Sequence, residues 1–87
     1  MQYFEEKKLI RHAIGKVVTN LRGDKSKFML GAENDISTSI LSNLENGKKD
    51  PQLTTIFKLA EAFNMKASDF IKLVEKNLPK NFSLIIK

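Results

Sequence analysis

The sequence has no cysteine and a single histidine, His12. The first absence excludes a disulfide framework and thiolate metal sites and fits a reducing compartment; the second excludes a histidine-based metal cluster. No stretch approaches the roughly 18 apolar residues of a membrane span. The opening MQYFEEKKLI places paired acids where a secretion signal needs an apolar run, so no targeting segment is expected. The few glycines are scattered and build no phosphate-cradling loop. There is no nucleophile–base pair either, and no internal repeat or low-complexity segment. These absences point away from an enzyme, from any cofactor and from a membrane protein.

What is present is a basic chain of 87 residues with net charge +5. That length suits one domain with a modest core. Excess positive charge raises affinity for polyanions, whether nucleic acid or an acidic membrane surface. Leu9, Ile10, Ala13, Ile14, Val17, Val18 and Leu21 recur on one helical face, which predicts a helix over residues 4–21. Gly23-Asp24 ends it. Ser26 then suits an N-cap for a short helix to about residue 33, and Asn34-Asp35 suits a left-handed turn. Ser37 is the next N-cap, and Ile36 with Leu41 occupies the positions of a hydrophobic staple. That helix runs to about Asn46 and stops at Gly47.

A charged turn, Lys48-Lys49-Asp50, leads to Pro51 and a fourth helix. Leu53, Ile56, Phe57, Leu59, Ala60 and Phe63 form its apolar side. A fifth helix over residues 67–76 carries Phe70, Ile71 and Val74 inward and ends before Pro79. Met29 and Met65 fall at core-like positions. Phe57, Phe63 and Phe70 are core by spacing, so no aromatic platform for single-stranded nucleic acid is expected. Tyr3 and Phe4 either cap the core or extend a subunit contact, and His12 lies off the apolar stripe, at the surface. The tail NFSLIIK reads better as a strand than as a helix. The predicted fold is a compact all-α, five-helix domain over residues 1–78 with a short tail over 79–87.

The third helix is compositionally odd. Between Asn34 and Asn43 only Ile36, Ile40 and Leu41 are not Asn, Asp, Ser or Thr. Ile36, Ile40, Leu41 and Leu44 fall within about 140° of one another, as a core face should. Opposite them lie Thr38, Ser39, Ser42, Asn43 and Asn46, with no lysine or arginine. A plain surface helix favours Glu, Lys, Gln and Arg. Short hydroxyls and amides give up helix propensity but allow close approach and hydrogen bonding to base edges. Such a face is either merely solvated or built to read the major groove. The flanks favour the second reading. A short helix and a tight turn precede it at helix-turn-helix spacing. Lys27 on one side and Lys48 and Lys49 on the other suit phosphate contacts that fix register, while neutral groups carry sequence information.

With these residues in view, LGAENDISTSILSNLENGKKDPQLTTIFKLAEAFNMKASDFI resembles the helix-turn-helix domain of the Cro/C1-type (XRE, phage repressor-like) transcriptional regulators. The likeness extends upstream through IGKVVTNLR. Leu30 and Gly31 fill the Leu-Ala position of the first motif helix, Ile36 and Ser37 open the recognition helix, and LAEAF fits the fourth-helix pattern. The resemblance implies that Thr38, Ser39 and Asn43 reach base edges, with Ser37 and Ser42 beside them. It implies phosphate contacts for Lys27, Asn46, Lys48 and Lys49, and a salt bridge between Arg22 and Glu45 behind the motif, favoured over direct DNA contact by those two. No metal or cofactor is implied. Departures are Lys25 at a usually apolar position, a shortened loop before Ser26, Lys27 for the usual Gln, and Asp35 where Gly is typical.

The expected partner is double-stranded DNA with a two-fold symmetric operator, read by a homodimer in the cytoplasm, at the nucleoid. The apolar tail either folds back or pairs with a second tail, and pairing suits the symmetric operator better. The length leaves no room after the motif for a ligand-sensing domain, so control is expected from concentration, dimerisation, proteolysis or a protein partner. The rival expectation is a protein-interaction module, such as the antitoxin of a toxin–antitoxin pair, with DNA binding secondary.

Overall fold

The computed structural model describes residues 4–85, with side chains from residue 5. The expectations for Tyr3, for the Phe4 side chain and for Ile86 and Lys87 lie outside the described residues. Five helices follow in chain order: α1 (Phe4–Arg22), α2 (Lys27–Asn34), α3 (Thr38–Glu45), α4 (Leu53–Ala62) and α5 (Ala67–Lys76). Among the described residues there is no strand.

Local hydrogen bonds set the boundaries of the two shortest helices. The Ser26 hydroxyl accepts from the Met29 N–H at 3.1 Å. The Ser37 hydroxyl accepts from the Ile40 N–H at 3.0 Å. Each satisfies one of the donors that a helix start otherwise leaves unpaired. α4 and α5 begin at Gln52 and Lys66 without a side-chain cap.

One core joins all five helices. Ala13, Ile14, Val17 and Val18 of α1 meet Leu30 of α2, Leu41 and Leu44 of α3, Ile56, Leu59 and Ala60 of α4, and Phe70 and Val74 of α5, with Ile36 from the α2–α3 turn. No polar or charged residue is buried among them. The staple pair Ile36 and Leu41 is inside, at 5% and 0% exposure. Burial of each such side chain contributes roughly 1.5–3 kcal/mol. That is how an eight-residue helix, far too short to be stable alone, holds its shape.

The apolar stripes are wider than the core they feed. Spacing predicts Leu9, Leu21, Met29, Ile40, Leu53, Phe57 and Ile71 inward, yet all are exposed. Leu53 and Phe57 are the largest departures, at 68% and 56% exposure. A domain this small has too little interior for full apolar arcs on every helix, so part of each stripe is left uncovered. Met65 and Phe63 pack at the core's edge. His12 is exposed.

The tail is also a correction. Residues 81–85 form no strand. The Ser83 hydroxyl donates to the Ile85 carbonyl at 2.8 Å and accepts from the Ile85 N–H. That closes a local turn. With no neighbouring strand, an apolar, β-prone sequence has no ladder to join.

Candidate nucleic-acid interface

The turn between α2 and α3 sets the relation of the two helices. Asp35 is left-handed, at φ 56° and ψ 46°. Its N–H and that of Ile36 both point to the Gly31 carbonyl, the second at 3.0 Å. Asp tolerates this backbone at a cost of about 1 kcal/mol. Lys58 of α4 compensates by donating to the Asp35 carbonyl at 2.9 Å, with the Asp35 carboxylate 3.5 Å away. The closeness of the turn explains Gly31: a Cβ there would come within 2.2 Å of the Ile36 carbonyl oxygen. Ile36 is thereby driven into the core, and Ser37 lands at the start of α3.

With Leu41 and Leu44 buried, the other face of α3 is turned outward. Ser37, Thr38 and Ser39 are exposed at its beginning; Ser42 and Asn43 are half-buried one turn further on. Each of these two has a neighbour from another element. The Lys27 ammonium of α2 reaches the Ser42 hydroxyl at 3.5 Å. Asn43 lines a cleft of about 230 Å³ with Ile40, Lys49, Asp50, Pro51, Gln52 and Thr55.

The far end of α3 is fastened to α1. Arg22 donates from Nε and Nη2 to the two Glu45 carboxylate oxygens at 2.6 and 2.9 Å, a two-pronged pair. Arg22 also donates to the Lys25 carbonyl at 2.7 Å, which ties in the loop before α2. Burial pushes the Glu45 carboxyl up, but the hydrogen bond and charge of Arg22, with help from Thr19 and Lys27, outweigh it; the net position is below the ordinary carboxylate range. The hydrogen bond to Glu45 likewise holds the Arg22 guanidinium above its ordinary value. Past the helix end, Arg11 donates to the Gly47 carbonyl at 3.2 Å. Gly47 itself is left-handed, at φ 68°. Gly15 lets the two backbones touch, since a Cβ there would lie 2.7 Å from the Leu44 carbonyl oxygen.

The candidate phosphate contacts differ among themselves. Asn46, Lys48 and Lys49 are exposed beyond the C-terminal end of α3. Lys27 is held differently. Its ammonium lies between Ser42 and the Glu45 carboxylate, the latter 4.0 Å away. It thus adds positive charge beside the outward face of α3 and shares the Glu45 carboxylate with Arg22. The lysine at position 25 pairs with Glu33, both half-exposed, so a charge replaces an apolar contact without being buried.

Sequence reasoning leaves out two residues that the fold brings in. Gln52 and Thr55 share the cleft of Asn43 and Lys49. Neither lies on a periodic stripe of its own. The only hint is that uncharged polar residues follow Pro51 at the start of α4. Among the described residues no group of three or more acids or histidines could hold a metal ion. No helix among them is long and apolar enough to cross a membrane.

A short capped helix, a tight left-handed turn and a second helix with a neutral polar outer face, flanked by lysines, define a DNA-binding helix-turn-helix. Residues 29–70 match a family model described as helix-turn-helix. Residues 29–70 therefore form a helix-turn-helix of the Cro/C1-type (XRE) family, a family of DNA-binding transcription regulators. No curated protein and no solved structure matches the chain.

Proposed function

We propose that the protein is a sequence-specific regulator, a repressor or autoregulator, that reads the major groove of a two-fold symmetric operator as a homodimer. One observation carries the reading: the outward face of α3 bears Thr38, Ser39, Ser42 and Asn43 and no charge, while the helix is capped at one end and clamped by Arg22 at the other. A rigid helix with short neutral side chains is what discrimination between base edges requires. In this reading Ser37, Thr38, Ser39, Ser42 and Asn43 contact bases. Asn46, Lys48 and Lys49 hold the backbone, and Lys27 serves phosphate and α3 together. Arg22 and Glu45 position the helix without touching DNA. No cofactor takes part, and the site of action is the cytoplasmic nucleoid.

The dimer follows from the symmetry of the proposed target. Two copies of α3 about 34 Å apart would enter successive major grooves. The exposed Leu84 and Ile85 support a subunit contact through the segment 79–87. Leu53 and Phe57, one turn apart on α4 and largely uncovered, favour a second reading in which a protein partner, as for an antitoxin, is the main target.

Selection from random duplex DNA at about 150 mM salt, where non-specific binding is weak, tests the two readings. Enrichment of a symmetric sequence with half-sites about one helical turn apart is the expected result. A folded protein that enriches nothing would overturn the homodimeric reading and leave the partner-dependent one.

A further inference from the structure

Phe28 is the most exposed large apolar residue among those described, at 69%. It stands on α2 beside Lys27, and its surroundings are specific. The Lys27 ammonium reaches Ser42. Phe28 lines an open groove with Ala32, Ser37 and Thr38. Thr38 and Ser42 are four residues apart, one turn along the same face of α3. The pair Lys27-Phe28 therefore borders the polar stripe of α3 along its α2 side. The acid that borders the same groove, Asp35, has Lys58 against it at 3.5 Å. The Phe28 ring thus stands at the edge of the groove that Ser37 and Thr38 line at the start of α3.

We infer that Phe28 is a specificity-determining residue of the DNA interface, packing its ring against a thymine methyl group near the edge of each half-site. This rests on the proposed reading of α3 as the base-reading helix. An aromatic ring cannot hydrogen-bond a base edge, but the C5 methyl of thymine is the one apolar feature that the major groove displays. Its neighbours supply the complement: Lys27 for phosphate, Thr38 and Ser42 for polar edges. The lysines on both sides of the motif make DNA, not an apolar protein surface, the partner that suits this groove by charge.

The test begins with the operator obtained by selection. The wild-type protein and Phe28→Ala are titrated with that operator and with duplexes in which each thymine in turn is replaced by deoxyuridine, which lacks only the methyl group. Phe28 is too exposed to support the core, so Phe28→Ala should keep its thermal melt. It should bind the operator roughly tenfold more weakly, as partial loss of a large apolar contact implies. At one thymine per half-site, the wild type should lose roughly three- to fivefold on methyl removal, the cost of one buried methyl. Phe28→Ala should lose nothing there. Equal methyl effects in both proteins at every position, or unchanged affinity of the variant, would overturn the assignment. So would a variant that loses self-association in sedimentation while its DNA contacts stay intact, because the ring would then serve a protein surface. If the wild type selects no operator, the reading of α3 fails first, and that failure appears before any Phe28 variant is made.

Discussion

α3 and α5 are both short amphipathic helices packed on the same core, and their outer faces could hardly differ more. α5 buries Phe70 and Val74 and shows Ser68, Asp69, Lys72, Glu75 and Lys76 to solvent. Its charges sit where a helix prefers them, Asp69 in the first turn and Lys76 in the last. It needs no side-chain cap. α3 buries Leu41 and Leu44 but shows Thr38, Ser39, Ser42 and Asn43, residues that weaken an isolated helix. It is held by outside help instead: the Ser37 cap, the Arg22–Glu45 clamp and the Lys27 contact. The difference separates a helix shaped by its own stability from one whose surface is given over to something else and whose stability is borrowed from neighbours.

The clamp should give the largest effect. Arg22→Ala leaves the Glu45 carboxylate, whose side chain is 6% exposed, without its main partner. A loss of about 2–3 kcal/mol in urea unfolding is expected, below the full cost of a deeply buried pair because Thr19 and Lys27 remain. Lys72→Ala on α5 should change stability by no more than about 0.5 kcal/mol. Equal losses at the two sites would erase the contrast. The clamp also fixes a pH dependence. Because the folded protein holds Glu45 below the ordinary carboxylate range, its contribution is complete at neutral pH. It begins to fade below about pH 4.3, the unfolded value, and is gone once the folded carboxyl protonates. Glu45→Gln should flatten that part of the acid limb.

Asn43→Ala should come next. It is expected to weaken operator binding by about 1–3 kcal/mol and relax preference at one base pair. The measurement is a pair of titrations on operator and random duplex; equal losses on both would remove Asn43 from base readout. Ser37→Ala should cost about 1 kcal/mol of stability through loss of the cap, a penalty with no counterpart at Lys66 of α5. The smallest effect is expected at Lys48. Lys48→Ala should weaken both DNAs alike and reduce the slope of log affinity against log salt by about one unit per subunit. An unchanged slope would take Lys48 out of contact with phosphate.

Much of the helix plan was legible because its causes are local. Ser26 and Ser37 act on backbone groups three residues away, and the turn at Asp35 depends on what its own backbone tolerates. The depth of each apolar position was not, because burial depends on what packs across from it. Leu53 and Ile56 look equally apolar in sequence, yet one is exposed and the other is inside. The tail shows the same limit, since strand propensity without a neighbouring strand yields only a turn at Ser83. The outer face of α3 could be drawn from spacing, but its setting could not. Lys27 is fifteen positions from Ser42, and the cleft joining Asn43 to Gln52 and Thr55 exists only once α4 has docked.

The absence of a side chain at Gly15 has a bearing on inheritance as well as on packing. At that point α1 rests directly on the last carbonyls of α3, with Arg11 and Arg22 reaching across on either side. The long first helix thus works as a gauge block for the short one: its surface helps to set the pitch at which α3 is presented. Two chains could share every residue from 37 to 49 and still present that surface differently, if one of them carried alanine at position 15.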